Sequence, residues 1–410
     1  MPPRVVVTGC GVVCPTALGV EEFARALREG REGARPISLF DTTGFAHSHG
    51  CEVTGFDPRR WLRELPSDRV GRASQFAAAA GRMAVEDAGL DLDALRALRG
   101  VVAVGTTDGG SHELDQAVEM EIARGPSGMD PALVRRIPAG ALSVSVAREL
   151  RLSRVDAVTL GTACAAGNYA IGAGLDALRS GEVDFALCGG ADALCRRNFT
   201  GFYRLGLVAP RHCQPFDANR RGILTGEGAA VLVLETAESA ARRGARVHAE
   251  VLGLGLSCDA RHPIAPDEEG IARCMRLALK DAGITPGMVD AISAHGTGTR
   301  ANDVTESRAI HEVFGPRPPR TIGLKAMLGH TMGAATALGA VACALAISRG
   351  FLPPTINHVE TDPECALDCV PNRAVPADVR IMQNNGLAFG GNNAVVIFGR
   401  HAPDAPPAAG

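Results

Sequence analysis

Aromatic side chains make up only 4% of this 410-residue chain, with one Trp and two Tyr, so large rings cannot fill its interior. The core must be built from Ala, Val and Leu, since 46% of the sequence is hydrophobic. Charge of one sign is also lacking: 42 Lys and Arg stand against 45 Asp and Glu, a net of -3. That balance leaves no basic stripe, and nucleic acid is excluded as an expected partner. No run reaches the roughly twenty apolar residues a bilayer crossing needs. The longest, 334–347, reads as a buried core helix, and no membrane partner is expected. Twelve cysteines are scattered without Cys-x-x-Cys or His-x-x-x-His spacing. They read as reduced and cytoplasmic, and no metal site is expected. The start, MPPR, leads at once into an apolar strand, without the segments of a secretion signal.

What is present is glycine, 49 residues of it, and a weak internal repeat. RMAVEDAGL at 82–90 precedes an apolar strand at 100–104 and the turn GTTD. Much later RLALKDAGI at 276–284 precedes the strand 289–294 and the turn HGTGT. Each is a helix closed by glycine, then a strand, then a Gly-Thr turn. The helices that follow Cys164 and His330 end alike, in ALRSG and AISRG. Strands alternating with helices predict an α/β chain with largely parallel sheets covered on both faces. The division is placed at 250, giving a first half 1–250 with cap insertions at 111–136 and 195–217. A second half, 251–400, and a flexible tail, 401–410, complete the chain.

Three positions carry reactive side chains at turns after strands. VTLGTACAAGN at 158–168 puts Cys164 where a strand becomes a helix, whose N-terminus favours thiolate over thiol. Taken alone, Cys164 reads equally as a small core hydrophobe. His295 lies in AHGTGT and His330 ends KAMLGH, both beside glycine, which lets backbone approach a ligand. A satisfied core imidazole is the alternative for each. Lys325, Asp303 and Glu306 bracket the histidines, and burying Lys325 and Glu306 is costly unless they are paired. NNGLAFGGNN at 384–393 reads as a mobile loop with one aromatic, Phe389.

Taken together, ACAAG at 163–167, PFD at 215–217, GEGA at 226–229, HGTGT with Asn302, Asp303 and Glu306, Lys325 to His330, and FGGNN at 389–393 resemble the β-ketoacyl-acyl-carrier-protein synthases of the elongating type. The likeness runs from 5 to 399. It implies a thiolase-like fold, a duplicated α/β/α/β/α five-layer architecture with two pseudo-equivalent halves. It also implies that Cys164 accepts an acyl chain while His295 and His330 bind the malonyl thioester and support its decarboxylation. Lys325 and Glu306 match a supporting charged pair, with Asp303 beside them. Phe389 matches a gate whose backbone N–H, with that of Cys164, forms an oxyanion hole. Thr297, Thr299, Gly390 and Gly391 match substrate-binding positions. The reaction implied is decarboxylative condensation with malonyl-acyl-carrier protein, extending the chain by two carbons without cofactor or metal.

The implied partners are acyl carrier protein and a second subunit, either another copy or a chain-length-factor-like chain. The strand at 184–188 is the candidate for joining sheets across that dimer, and 113–134 with 199–203 for lining the acyl tunnel. Departures from the family pattern cluster around the site: Ile322-Gly323-Leu324 where small hydroxyl residues are usual, Leu328 and Asn392 for threonine, and Leu387-Ala388 for Phe-Gly. They point to polyketide or other specialised acyl chains, with housekeeping fatty-acid elongation as the alternative. A coenzyme A thiolase fits less well, lacking here its second, late cysteine. A non-catalytic chain-length factor commonly lacks the nucleophile that Cys164 supplies.

Overall fold

Ten strands and one short pairing segment make a continuous sheet in the computed structural model, which describes residues 2–402. In chain order the strands are β1 (Val5–Cys14), β2 (Gly100–Gly105), β3 (Val155–Leu160), β4 (Phe185–Asp192) and β5 (Gly228–Thr236). Then come β6 (Ala249–Cys258), β7 (Ala291–Ser293), β8 (Arg320–Ile322), β9 (Ile381–Leu387) and β10 (Asn392–Gly399). Ala17–Leu18 folds back on β1. Across the sheet the order is β3-β2-β4-β5-β1, then β6-β10-β9-β7-β8.

Each set of five follows one plan. β3, β2 and β4 run parallel, and β5 and β1 are added antiparallel. In the second set β8, β7 and β9 run parallel, and β10 and β6 are antiparallel. The expected largely parallel sheets are therefore mixed. For β9 and β10 the cause is plain: the link 388–391 is too short for the crossover that a parallel pair needs. The segment 384–393 is consequently a strand, a tight turn and the start of a strand, where a mobile loop was expected. The two sets join where Val5, Val6 and Val7 pair with Val251, Glu250 and Ala249.

The main helices are α1 (Arg72–Asp87), α2 (Ser111–Arg124), α3 (Ala141–Leu150), α4 (Ala166–Arg179), α5 (Arg196–Arg204), α6 (Glu268–Asp281), α7 (Arg300–Phe314) and α8 (Ala335–Arg349). α1 and α3 cover the outer face of the first half-sheet, and α6 and α7 that of the second. α4 and α8 lie between the half-sheets, which completes the five layers. By length and composition Met332–Arg349 could cross a membrane. Its burial on every side is that of an all-apolar helix in a protein core.

Small residues let the middle helices touch. A Cβ on Gly167 of α4 would come within 2.6 Å of the Ala337 nitrogen of α8. One polar cluster survives there because its bonds are met. Asn168 Nδ2 donates to the carbonyls of Asn384 (3.0 Å) and Ala394 (2.9 Å), and Asn384 Nδ2 donates to Asn168 Oδ1 and the Thr336 carbonyl (both 2.8 Å). The cluster ties α4, α8 and β9 together beneath the site.

Position in the sheet also corrects the expected dimer strand. β4, which contains 185–188, is covered on both edges by β2 and β5 and cannot pair with another chain. β3 and β8 are the two edge strands of the sheet; β3, the edge of the first half, is largely exposed. Of the tail, 403–410 lie outside the described residues.

Candidate active site

Past the end of β3 the backbone turns sharply. Ala163 takes φ +51° directly before Cys164, and a single 3-10 turn leads into α4. A left-handed conformation costs a non-glycine residue roughly 1–2 kcal/mol. Such a strained strand-to-helix bend presents the side chain that follows it at the top of the sheet. In the second half Met332 takes φ +54° just before α8, and His330 stands two residues ahead of it. His295 follows β7. Sγ of Cys164 and a ring nitrogen from each of His295 and His330 all lie within 4.8 Å of one another. The two imidazoles are nearly perpendicular, with centroids 5.6 Å apart.

Burial dominates the electrostatics. It pushes the Cys164 thiol up to about 11, against the thiolate expected at a helix start. Lys325 and the backbone N–H groups of Phe389 and Cys164 pull the other way without prevailing, and the Asp192 carboxylate adds to the rise. Those two N–H groups, expected in the oxyanion hole, face the sulfur. Both histidines sit well below their usual range, from burial first and the Lys325 ammonium second. They are neutral at pH 7, and their tautomers follow from their contacts. His330 Nδ1 accepts the Met332 N–H (3.1 Å), which leaves the proton on Nε2. Lys325 Nζ lies 3.4 Å from His295 Nδ1, with the same consequence.

Lys325 and Glu306 make no hydrogen bond to each other, although the Glu306 charge favours the Lys325 ammonium. Nζ of Lys325 donates to the His295 carbonyl. Glu306, on α7, accepts the N–H groups of His295 (2.7 Å) and Gly296 (2.8 Å) and Nδ2 of Asn385 (3.0 Å). These donors occupy the carboxylate, so the two charges hold His295 from opposite sides instead of touching. Asp303 fixes the next stretch by accepting the N–H groups of Thr297 (3.0 Å), Gly298 (3.2 Å) and Phe216 (2.9 Å). Burial raises its carboxyl to about 6.

A cavity of about 220 Å³ opens from the cysteine and histidines. Thr297, Thr299 and Phe389 line it, but Gly390 and Gly391 do not. The Gly390 N–H donates to the Pro263 carbonyl (2.7 Å), and the Gly391 carbonyl accepts the Asp259 N–H (3.0 Å). The glycines thus fasten the Phe389 turn to the segment 259–267. Asp259 and His262 of that segment also line the cavity, and the sequence reading missed them. The available signal was an acid and a histidine in a turn-rich link between a strand and a helix. Phe202 of α5 is a further wall, with its ring centroid 5.7 Å from that of Phe389 and 6.2 Å from that of His330. It falls inside 199–203, the stretch expected to line a tunnel. Of the other stretch, 113–134, no residue reaches this cavity.

Two mirrored half-sheets with a cysteine at one central bend and histidines around it define a thiolase-like fold. The chain belongs to the β-ketoacyl synthase family: residues 3–240 match the model of the Beta-ketoacyl synthase N-terminal domain and 248–359 that of the C-terminal domain. It is 37% identical to 3-oxoacyl-[acyl-carrier-protein] synthase 2 of Synechocystis, with 97% of this chain and 98% of that one covered. With Nodulation protein E of Rhizobium leguminosarum bv. trifolii it shares 39%, covering 97% and 99%. Among solved structures, a chain of the ishigamide ketosynthase/chain length factor is 61% identical with a TM-score of 0.97, covering 98% of this chain and all of that one. A type II PKS acyl-carrier protein in complex with its ketosynthase bound to the hexaketide gives 31% and 0.89, covering 98% and 100%.

Proposed function

We propose that this protein condenses a carrier-bound acyl chain with malonyl-acyl-carrier protein, and that Cys164, His295 and His330 carry the chemistry. The convergence of their three reactive atoms within 4.8 Å at the end of a cavity carries this reading. In the first half-reaction Cys164 sulfur attacks the acyl thioester, the carrier's C–S bond breaks, and the thiol proton passes to the departing carrier thiolate. The negative oxygen formed on the way sits against the N–H groups of Cys164 and Phe389.

In the second half-reaction malonyl carrier enters and its thioester oxygen takes the Nε2–H bonds of His295 and His330. The bond to the carboxylate breaks, carbon dioxide leaves, and the electron pair becomes an enolate that those two donors stabilise. Neutral imidazoles suit this task, since each keeps one N–H directed at the oxygen and neither gives up charge. The enolate carbon attacks the Cys164 thioester, a carbon–carbon bond forms, and Cys164 leaves as thiolate. The product is a β-ketoacyl chain two carbons longer.

Mass spectrometry after incubation with acyl-carrier substrates tests the assignment. A covalent acyl mass on the native chain that Cys164→Ala removes is the expected result; acylation at another residue, or none with any thioester, overturns it. The pathway we favour is polyketide or other specialised acyl-chain synthesis. Its support is the likeness to ketosynthase/chain length factor structures and the substituted residues around the site. Efficient elongation of ordinary saturated primers to long fatty acids would overturn that choice. For the second subunit, another copy or a chain-length-factor-like chain, the free β3 edge is the docking line. Val158 on β3 stands exposed there as an apolar contact.

A further inference from the structure

Asp192 ends β4 and is 2% exposed, with no cation paired to it among the described residues. Four donors surround its carboxylate. Oδ1 accepts the Thr106 hydroxyl (2.6 Å) and the Asp108 N–H (3.3 Å). Oδ2 accepts the N–H groups of Thr107 (2.8 Å) and Gly333 (2.6 Å). Three of these donors belong to the turn after β2, in the first half. The fourth belongs to the bend that carries His330, in the second.

Gly333 has no freedom to settle elsewhere. A Cβ on it would meet Thr106 Cα at 2.5 Å and Asp192 Oδ2 at 2.8 Å. Its neighbour in the chain is Met332, whose left-handed backbone aims its N–H at His330 Nδ1. That single bond decides which nitrogen of His330 carries the proton. Asp192 therefore holds the peptide next to the one that orients the imidazole.

We propose that Asp192 is a positioning residue for malonyl decarboxylation: through Gly333 and Met332 it fixes the ring orientation and the Nε2–H tautomer of His330. The proposal rests on His330 acting in that half-reaction. Asp192 touches no reacting atom, and the roles proposed above give His330 no part in acyl transfer; the Asp192 charge helps hold the Cys164 thiol up, so its loss leaves that step unharmed or faster. Loss of Asp192 accordingly separates the two half-reactions.

Asp192→Asn removes the charge, but one of its flips keeps the amide oxygen on the Thr107 and Gly333 N–H groups while the Thr106 hydroxyl turns to accept from the NH₂. Asp192→Ser, too short to reach both turns, removes the Gly333 link outright and is the deciding variant. Folding is checked by circular dichroism, acyl transfer by the mass of the acyl-enzyme, and decarboxylation by carbon dioxide released from malonyl carrier. In folded Asp192→Ser we expect acyl transfer at no less than about half the native rate and decarboxylation lower by about ten- to a hundredfold. Thr106→Val removes a first-half donor but keeps the Gly333 bond, and its loss of decarboxylation stays below about threefold.

Decarboxylation at the native rate in Asp192→Ser, or an equal fall in both half-reactions, overturns the proposal. So does a Thr106→Val loss as large as that of Asp192→Ser, which would show that the Gly333 link is not the route. His330→Ala separates the two readings. If it decarboxylates normally, the assignment of His330 fails; if it is impaired while the Asp192 variants are not, only the assignment of Asp192 fails.

Discussion

The bend before α4 and the bend before α8 have the same backbone and opposite contents. Each turns through one left-handed non-glycine residue, Ala163 at φ +51° and Met332 at φ +54°, and then a 3-10 turn. In the first, the next residue is Cys164, whose side chain lines the cavity. In the second it is Gly333, packed against Thr106 with no space for a side chain. The strand-to-bend link also differs, 161–162 in one half and 323–331 in the other. The longer link holds Lys325 and His330. Duplication supplied two equivalent frames, and the chemistry was divided between them: a nucleophile in one bend, and its electrostatic surroundings on the longer approach to the other.

The comparison breaks most sharply if the thiol is moved. Cys164→Gly combined with Gly333→Cys keeps one cysteine at a bend, but in the half without an opening to the cavity. Condensation is expected to fall at least about a thousandfold, as with removal of a nucleophile. Acyl mass appearing on the relocated cysteine would show the bends to be interchangeable. Next in size is thiolate formation at Cys164. With the thiol pushed up to about 11 by burial, only about a thousandth is ionised at pH 8. Alkylation by iodoacetamide should rise with pH towards that value, and a plateau near pH 8 would mean that Lys325 outweighs burial.

Packing gives a smaller effect. Gly333→Ala alone forces a methyl against the Thr106 backbone, and about 1–3 kcal/mol of stability should be lost. Chemical denaturation measures it. An unchanged midpoint would mean that the second bend is looser than the first.

The sequence made some of this contrast readable and hid the rest. Cys164, His295 and His330 were visible because each stands in a small-residue turn after a strand, a local pattern. The repeat of helix, strand and Gly-Thr turn was enough for the doubled frame. Lys325 and Glu306 were legible as neighbours of the site but not in how they act, because they meet across the His295 peptide and no spacing encodes a shared backbone. Asp192 is the clearest loss. Its partners come from Thr106 to Asp108 and from Gly333, so its place emerges only when β4, β2 and α8 are packed. The dimer strand was misplaced for a similar reason: an apolar strand such as 185–188 looks the same in sequence at an edge or at a centre, and only sheet order separates β4 from β3.

The smallest expected effect concerns the shared strain itself. Ala163→Gly relieves a left-handed conformation costing roughly 1–2 kcal/mol. It also frees the unfolded chain, which offsets about 0.5–1 kcal/mol of that gain. Net stability should therefore change by no more than about 1.5 kcal/mol. Activity moves in the other direction, because a glycine loosens the bend that holds the Cys164 N–H towards the developing oxyanion. A fall in acyl transfer of up to about fivefold, with unchanged stability, is expected. Should stability drop by more than about 2 kcal/mol instead, the Ala163 methyl is packed more tightly than its partial exposure implies. The two bends would then differ in packing as well as in the residue that follows.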